Sequence, residues 1–145
     1  MVDVSGKPVT QRLARATATV RLRPNVLATL VEAGGPKGDA FVTARLAGIS
    51  AAKRTPELIP LCHPIPLDRV EVSLEADKAE GTIRITAEVS ATARTGVEME
   101  ALTAVSVAAL TLYDMLKAAD RGMVIGEIAL WEKRGGRSGV YRRRR

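Results

Sequence analysis

The run VEVSLEADKAEGTIRITAEV, residues 70–89, decides the architecture. Val70, Val72 and Leu74 alternate with charged or polar neighbours, and so do Ile83, Ile85, Ala87 and Val89. A period of two marks strands with one buried face. Residues 77–81 supply the turn between them. An antiparallel hairpin therefore stands mid-chain, and the elements on either side fix the fold class.

Downstream, EMEALTAVSVAALTLYDMLKAA (residues 98–119) reads as the longest helix, with Thr95-Gly96 before it and Gly122 after it. Residues 124–131 make a final strand. Upstream, the prolines of residues 56–66 exclude a regular helix, since each lacks a donor and restricts the residue before it. Residues 40–53 give a helix with Asp39 as N-cap, its apolar Phe41, Val42, Leu46 and Ile49 near helical spacing. Residues 26–33 give a shorter helix stopped by Gly34-Gly35, and residues 15–23 alternate as a half-buried strand. The order is strand, two helices, two strands, helix, strand. This is an α+β chain with the ferredoxin-like βαββαβ order and an extra helix in the first crossover. The expectation is an antiparallel sheet with its helices on one face.

The 145 residues suit a single domain over 1–140, followed by a basic, disordered tail at 141–145. The net charge of +6 is concentrated at the end. Seven of the 22 basic residues follow position 132 with no acid among them, which leaves 15 against 16 acidic residues in the body. No apolar run reaches the ~20 residues of a membrane span. The first residues, MVDVSGKPVTQR, lack an apolar signal core, and the single cysteine suits a reducing cytoplasm. The helix at 98–119 is apolar around nearly its whole circumference. One sheet covers one face, so a second chain is expected on the other.

Several residues could carry chemistry. LCHPIPL, residues 61–67, sets Cys62 beside His63 in stiff backbone, where an imidazole that titrates near neutrality can be held outward. A lone histidine is more often a structural hydrogen-bonding group, and Cys62 reads as packing. One Cys and one His fall short of a zinc set. In TGVEME, residues 95–100, Glu98 and Glu100 stand in the first helical turn; dipole complementation explains one of them better than both. Asp114 and Lys117, at i and i+3, share a helix face. On a helix expected to be largely buried they would tune each other's proton affinity. Lys37 in GGPKGD and the run 136–139, GRSG, could each hold phosphate or be ordinary turns; neither is a P-loop.

KRTPELIPLCHPIPL (residues 53–67), TGVEMEALTAVSVAALTLYDMLKAADRGMVI (95–125) and EKRGGRSG (132–139) strongly resemble the cyclic pyranopterin monophosphate synthase family, molybdenum cofactor biosynthesis protein C. DVSGKPVTQRLARA and KGDAFVTARLAGISAAK fit its pattern too. The resemblance covers almost the whole chain apart from the arginine tail and the hairpin around residues 77–81. It implies a lyase that rearranges 3′,8-cyclo-7,8-dihydroguanosine 5′-triphosphate to cyclic pyranopterin monophosphate and releases pyrophosphate. It also implies a cytoplasmic homohexamer, a trimer of dimers. By resemblance Asp114 is catalytic, with Lys117 and His63 beside it. Leu61, Cys62, His63, Met99 and Glu100 contact substrate, and Glu98, Lys37 and Arg12 are active-site charges. Lys37, Lys117 and Arg12 would then clamp phosphate. The sequence requires no cofactor and no metal, and magnesium is admitted only as a companion of the triphosphate.

Two charged groups lie at each end of the long helix, roughly 20–25 Å apart at ~1.5 Å per residue. Active sites at the dimer interface, taking opposite helix ends from different subunits, are therefore expected. The rival is a ferredoxin-like RNA-binding module, which stacks bases on sheet aromatics. Only Trp131 of Phe41, Tyr113, Trp131 and Tyr141 falls in a predicted strand, which disfavours nucleic acid. A catalytically dead regulator would not be expected to keep an acid at position 114.

Overall fold

The computed structural model describes residues 1–144 and sets the predicted hairpin at one side of a five-stranded sheet. In chain order the elements are β1 (Thr10–Arg21), α1 (Pro24–Ala33), α2 (Ala40–Lys53), a single turn α3 (Thr55–Leu58), β2 (Arg69–Asp77), β3 (Thr82–Ala93), α4 (Glu98–Leu116), β4 (Val124–Arg134) and β5 (Tyr141–Arg142). The strands lie in the order β2-β3-β1-β4-β5, and every pairing is antiparallel. Without β5 this is the ferredoxin-like arrangement, with α2 as the extra helix of the first crossover.

Alternation builds the core. Ala14, Ala16, Ala18 and Val20 of β1 and Ile83, Ile85, Ala87, Val89 and Ala91 of β3 are buried on the helix side. Residues between them face the other way; there Arg15 pairs with Glu88 at 2.8 Å. Against this small-residue surface α4 buries Ala101, Ala104, Val105, Ala108 and Leu112. Gly48 lets α2 approach α4 closely, since a Cβ there would stand 2.9 Å from the Ala104 carbonyl oxygen. Of the described helices, α4 alone is long and apolar enough to cross a membrane, but its buried residues are the heart of this core.

Boundaries follow local chemistry. Asp39 accepts from the Val42 N–H and starts α2 as expected. Buried Thr55 donates to the Ala52 carbonyl at 3.0 Å, so one more turn forms at α3, with Pro56 in the first helical turn where its missing donor costs nothing. Beyond it the proline stretch is irregular. β1 begins at Thr10, earlier than the alternation indicates, because its pairing with β3 continues to Ala93. The regular part of α4 ends at Leu116 and not near residue 119; Asp120 then accepts from the Arg23 and Gly122 N–H groups and ties the helix end to the start of α1.

The C-terminus differs from expectation. Tyr141–Arg142 pair with β4 in the register Glu132↔Arg142 and Lys133↔Tyr141, and the Arg143 N–H donates to the Trp131 carbonyl at 2.9 Å. Glu132 draws this segment onto the sheet through Arg142 at 3.2 Å. Residues 141–143 of the segment expected to be a disordered tail are thus bonded to the sheet, and Arg145 lies outside the described residues.

Candidate functional site

Two adjoining cavities open where α4 begins. The smaller, about 440 Å³, is lined by Leu61, Cys62 and His63 of the proline-rich segment and by Glu98, Met99 and Glu100 of α4, with Val4 and Lys7 from the N-terminal segment. Stiff backbone carries the imidazole here, and the Cys62 N–H donates to the Ile59 carbonyl. Gly96 makes room for the Glu98 carboxylate, which folds back to within 1.9 Å of where a Cβ on residue 96 would sit. Glu100 is 3% exposed. Burial pushes its carboxyl above the usual range, and the charge of Glu98 adds to the effect. Burial likewise raises the Cys62 thiol, with the Glu100 charge reinforcing it. Such a thiol is protonated at neutral pH and a poor nucleophile, in keeping with a packing role.

The larger cavity, about 900 Å³, shares Lys7, Thr95, Gly96 and Glu98 with the first. Cations dominate the rest of its wall: Arg12, Arg94, Lys133 and Arg137, with Ser138 beside them. The Arg12 guanidinium donates to the Ala93 carbonyl at 3.2 Å and the Arg94 carbonyl at 3.1 Å, so β3 fixes it in place. The glycine turn 135–139 lies against it. A Cβ on Gly136 would fall 1.9 Å from an Arg12 nitrogen, and one on Gly135 would fall 2.1 Å from the Gln11 carbonyl oxygen. Both glycines have positive φ, at 73° and 95°.

At the other end of α4 a third group assembles. Lys117 Nζ stands 2.7 Å from Asp114 Oδ1, and Lys37 Nζ stands 2.8 Å from Oδ2. The Gly35↔Gly38 bridge shapes the loop that brings Lys37 there. These two ammonium groups, Lys117 first, hold the Asp114 carboxyl at about 2. One expectation needs correction here. Asp114 and Lys117 are about half exposed in the protomer, at 56% and 52%, because they share the face of α4 that carries exposed Leu110, away from buried Met115 and Leu116.

Within one chain the predicted residues therefore form two sets. Leu61, Cys62, His63, Glu98, Met99 and Glu100 share one cavity and Arg12 the next, while Lys37, Asp114 and Lys117 stand together at the far end of α4. Lys117 pairs with Asp114 as their i, i+3 spacing indicates, and Lys37, which the resemblance groups with Lys117 and Arg12 around phosphate, pairs with Asp114 too. The residues that sequence reasoning passed over are Lys7, Arg94 and Lys133. Lys7 and Lys133 flank runs already noted, TQR and GRSG, but only the β1–β3–β4 pairing brings them together.

These features coincide with a family pattern along most of the chain. The MoaC family model matches residues 1–136. The chain belongs to the MoaC family. It is 58% identical over 142 residues to the cyclic pyranopterin monophosphate synthase of Parvibaculum lavamentivorans, covering 98% of this chain and 89% of that protein. The synthase of the same name from Thermomicrobium roseum is 59% identical over 143 residues, covering 99% and 86%. That of Methylobacterium sp. (strain 4-46) is 62% identical over 141 residues, covering 97% and 88%. The MoaC match ends at residue 136, inside the glycine turn, so β5 lies beyond it.

Proposed function

We infer that this chain is a cyclic pyranopterin monophosphate synthase of molybdenum cofactor biosynthesis, a lyase acting on 3′,8-cyclo-7,8-dihydroguanosine 5′-triphosphate. Its near full-length identity to synthases of that name carries the reading. The geometry supports it: a largely apolar cavity that holds His63 and buried Glu100 adjoins a cavity walled by cations. The first suits the purine-derived rings, whose amino and ring N–H groups can donate to Glu98 and Glu100. The second suits the triphosphate, which needs several positive groups at once.

Rearranging the purine requires repeated proton transfers, each accelerated about 10²–10⁴-fold by a positioned acid or base. Asp114 and Lys117 are assigned this work, with His63 assisting. Closing the cyclic phosphate forms a bond from a ribose oxygen to the α-phosphorus as the bond from that phosphorus to the pyrophosphate oxygen breaks. The charge gathering on the departing pyrophosphate is met by Arg12, Lys7 and Lys133. No resident cofactor is needed, and magnesium would arrive with the triphosphate. The cytoplasm is the compartment assigned.

The two sets of residues come together only if neighbouring subunits bring opposite ends of α4 to one pocket. Exposed Val42 and Leu46 on α2 and Leu110 on α4 offer apolar surface for that contact. The assembly proposed is a trimer of dimers with each site at a dimer interface. The decisive experiment incubates the protein with the cyclised triphosphate and follows pyrophosphate and cyclic monophosphate. Wild type should turn over, and Asp114→Asn and Lys117→Ala should lose most activity. Undiminished turnover in both variants would remove these residues from catalysis.

A further inference from the structure

Glu132 is a carboxylate that the proposed chemistry does not use, yet its side chain is only 9% exposed and three arginines converge on it. Arg134 Nε donates to Oε1 at 2.7 Å, Arg142 Nε donates to the same oxygen at 3.2 Å, and an Arg15 nitrogen lies 3.9 Å from Oε2. Arg15 also pairs with Glu88 at 2.8 Å, so its charge is shared. Arg134 and Arg142 are the closer partners, and they stand on opposite sides of the glycine turn 135–139.

That placement matters because, apart from Arg143, which donates to the Trp131 and Leu130 carbonyls of β4, β5 has little else to hold it. It is two exposed residues long and pairs with β4 alone. Short edge strands are marginal without added contacts. The turn it closes carries Arg137 and Ser138 and follows Lys133, all on the wall of the basic cavity. The Lys133 ammonium reaches back across the turn to the Ser138 hydroxyl and, at 3.4 Å, to the Gly135 carbonyl. Gly136 meanwhile rests against Arg12. The shape of this wall thus depends on the chain returning to β4 after the turn.

We propose that Glu132 is a positioning residue: by joining Arg134 to Arg142 it closes the 135–139 turn and fixes Lys133, Arg137 and Ser138 for a bound polyphosphate. The proposal rests on the reading of the cation-lined cavity as the polyphosphate seat. Without the carboxylate the guanidinium groups repel one another across the β4–β5 pair. The turn then opens although the core below it is untouched.

The test compares wild type with Glu132→Gln, Glu132→Asp and Arg142→Gln, and with Arg84→Gln as a control for lost charge. Inorganic pyrophosphate is the binding probe, measured by calorimetry, alongside KM and kcat for the cyclised triphosphate and amide exchange at residues 139–143. Glu132→Gln and Arg142→Gln should lose protection of β5, weaken pyrophosphate binding and raise KM about tenfold. Because Lys133 also meets the charge of the departing pyrophosphate, kcat should fall as well, by a smaller factor. Glu132→Asp should recover most of the affinity, and Arg84→Gln should change little. Arg142 is exposed, so its variant decides the matter if a Glu132 variant fails to fold. Pyrophosphate affinity and KM that stay unchanged once β5 protection is lost would overturn the proposal while leaving the cavity reading intact. Undisturbed β5 protection in Glu132→Gln and Arg142→Gln would overturn it as well. Wild-type protein that binds no pyrophosphate would remove the cavity reading and the proposal together.

Discussion

Lys117 Nζ lies 2.7 Å from Asp114 Oδ1, and both side chains stay about half exposed at the end of α4. With Lys37 on the other oxygen, the carboxyl is held at about 2, where a free carboxylate would be a weak base at neutral pH. Losing either ammonium group would return basicity to Asp114.

Lys117→Ala should therefore raise the Asp114 carboxyl toward its ordinary value of 3.8, and Lys37→Ala should raise it less, since Lys117 is the larger cause. Carbon-detected NMR titration of the carboxyl checks both. The folded-state value is depressed, so the pairing contributes stability above about 3.8 and loses it as pH falls toward about 2. Wild type and Lys117→Ala should converge in stability below that window. High salt should narrow the gap at neutral pH, because exposed pairs are screened.

Gly48→Ala tests the close approach of α2 to α4. Alanine in a helix gains about 1 kcal/mol over glycine. The new Cβ, however, would sit 2.9 Å from the Ala104 carbonyl oxygen and 3.3 Å from the Ala108 Cβ. Overpacking of that kind costs about 1–3 kcal/mol, and backbone on a core helix yields little. The expected result is a net loss of about 1 kcal/mol in denaturant unfolding. A gain would mean that α2 can shift away from α4 at little cost.

The fold was legible because β1 and β3 bury every second residue, and because Asp39 and the prolines around His63 mark boundaries through chemistry local to them. The site was legible in pieces. His63, Glu98 and Glu100 stand out by residue type in stiff or helical frames, and Leu61, Cys62 and Met99 only by the family resemblance, yet nothing along the chain says they share a cavity. Lys7 and Lys133 escaped notice because their meaning lies in strand pairing, which joins segments over a hundred residues apart. The exposure of Asp114 was misjudged for a related reason. The buried face of α4 runs on through Met115 and Leu116, while Asp114 lies on the opposite side with exposed Leu110. Tyr141 and Arg142 pair with β4 where Arg142 meets Glu132, ten residues away and too generic a signal to stand out against a run of arginines.

The proposed division of the site between subunits has a direct test. Glu100 and Asp114 are separated by 14 positions of one helix, roughly 20 Å at ~1.5 Å per residue. Glu100→Ala and Asp114→Ala chains should each be nearly inactive alone. Mixed and allowed to exchange subunits, they should regain a fraction of wild-type turnover, because some pockets then receive an intact residue from each chain. Absence of rescue with exchange confirmed by mass spectrometry would place both residues in one chain's site or in separate roles.

Glu100→Gln should separate stability from activity. Burial raises the Glu100 carboxyl, so the folded chain holds its proton more tightly than the unfolded chain does. Stability is then lost as pH rises from the ordinary glutamate value of 4.5 toward the folded one, and the charge stays costly above it. Glutamine keeps the shape without the charge. Its thermal unfolding should match wild type near pH 4 and exceed it near pH 7.5, while pyrophosphate release falls at least tenfold for want of an ionisable group. A variant less stable than wild type at pH 7.5 would show that the carboxylate is compensated by a positive partner that a neighbouring subunit supplies.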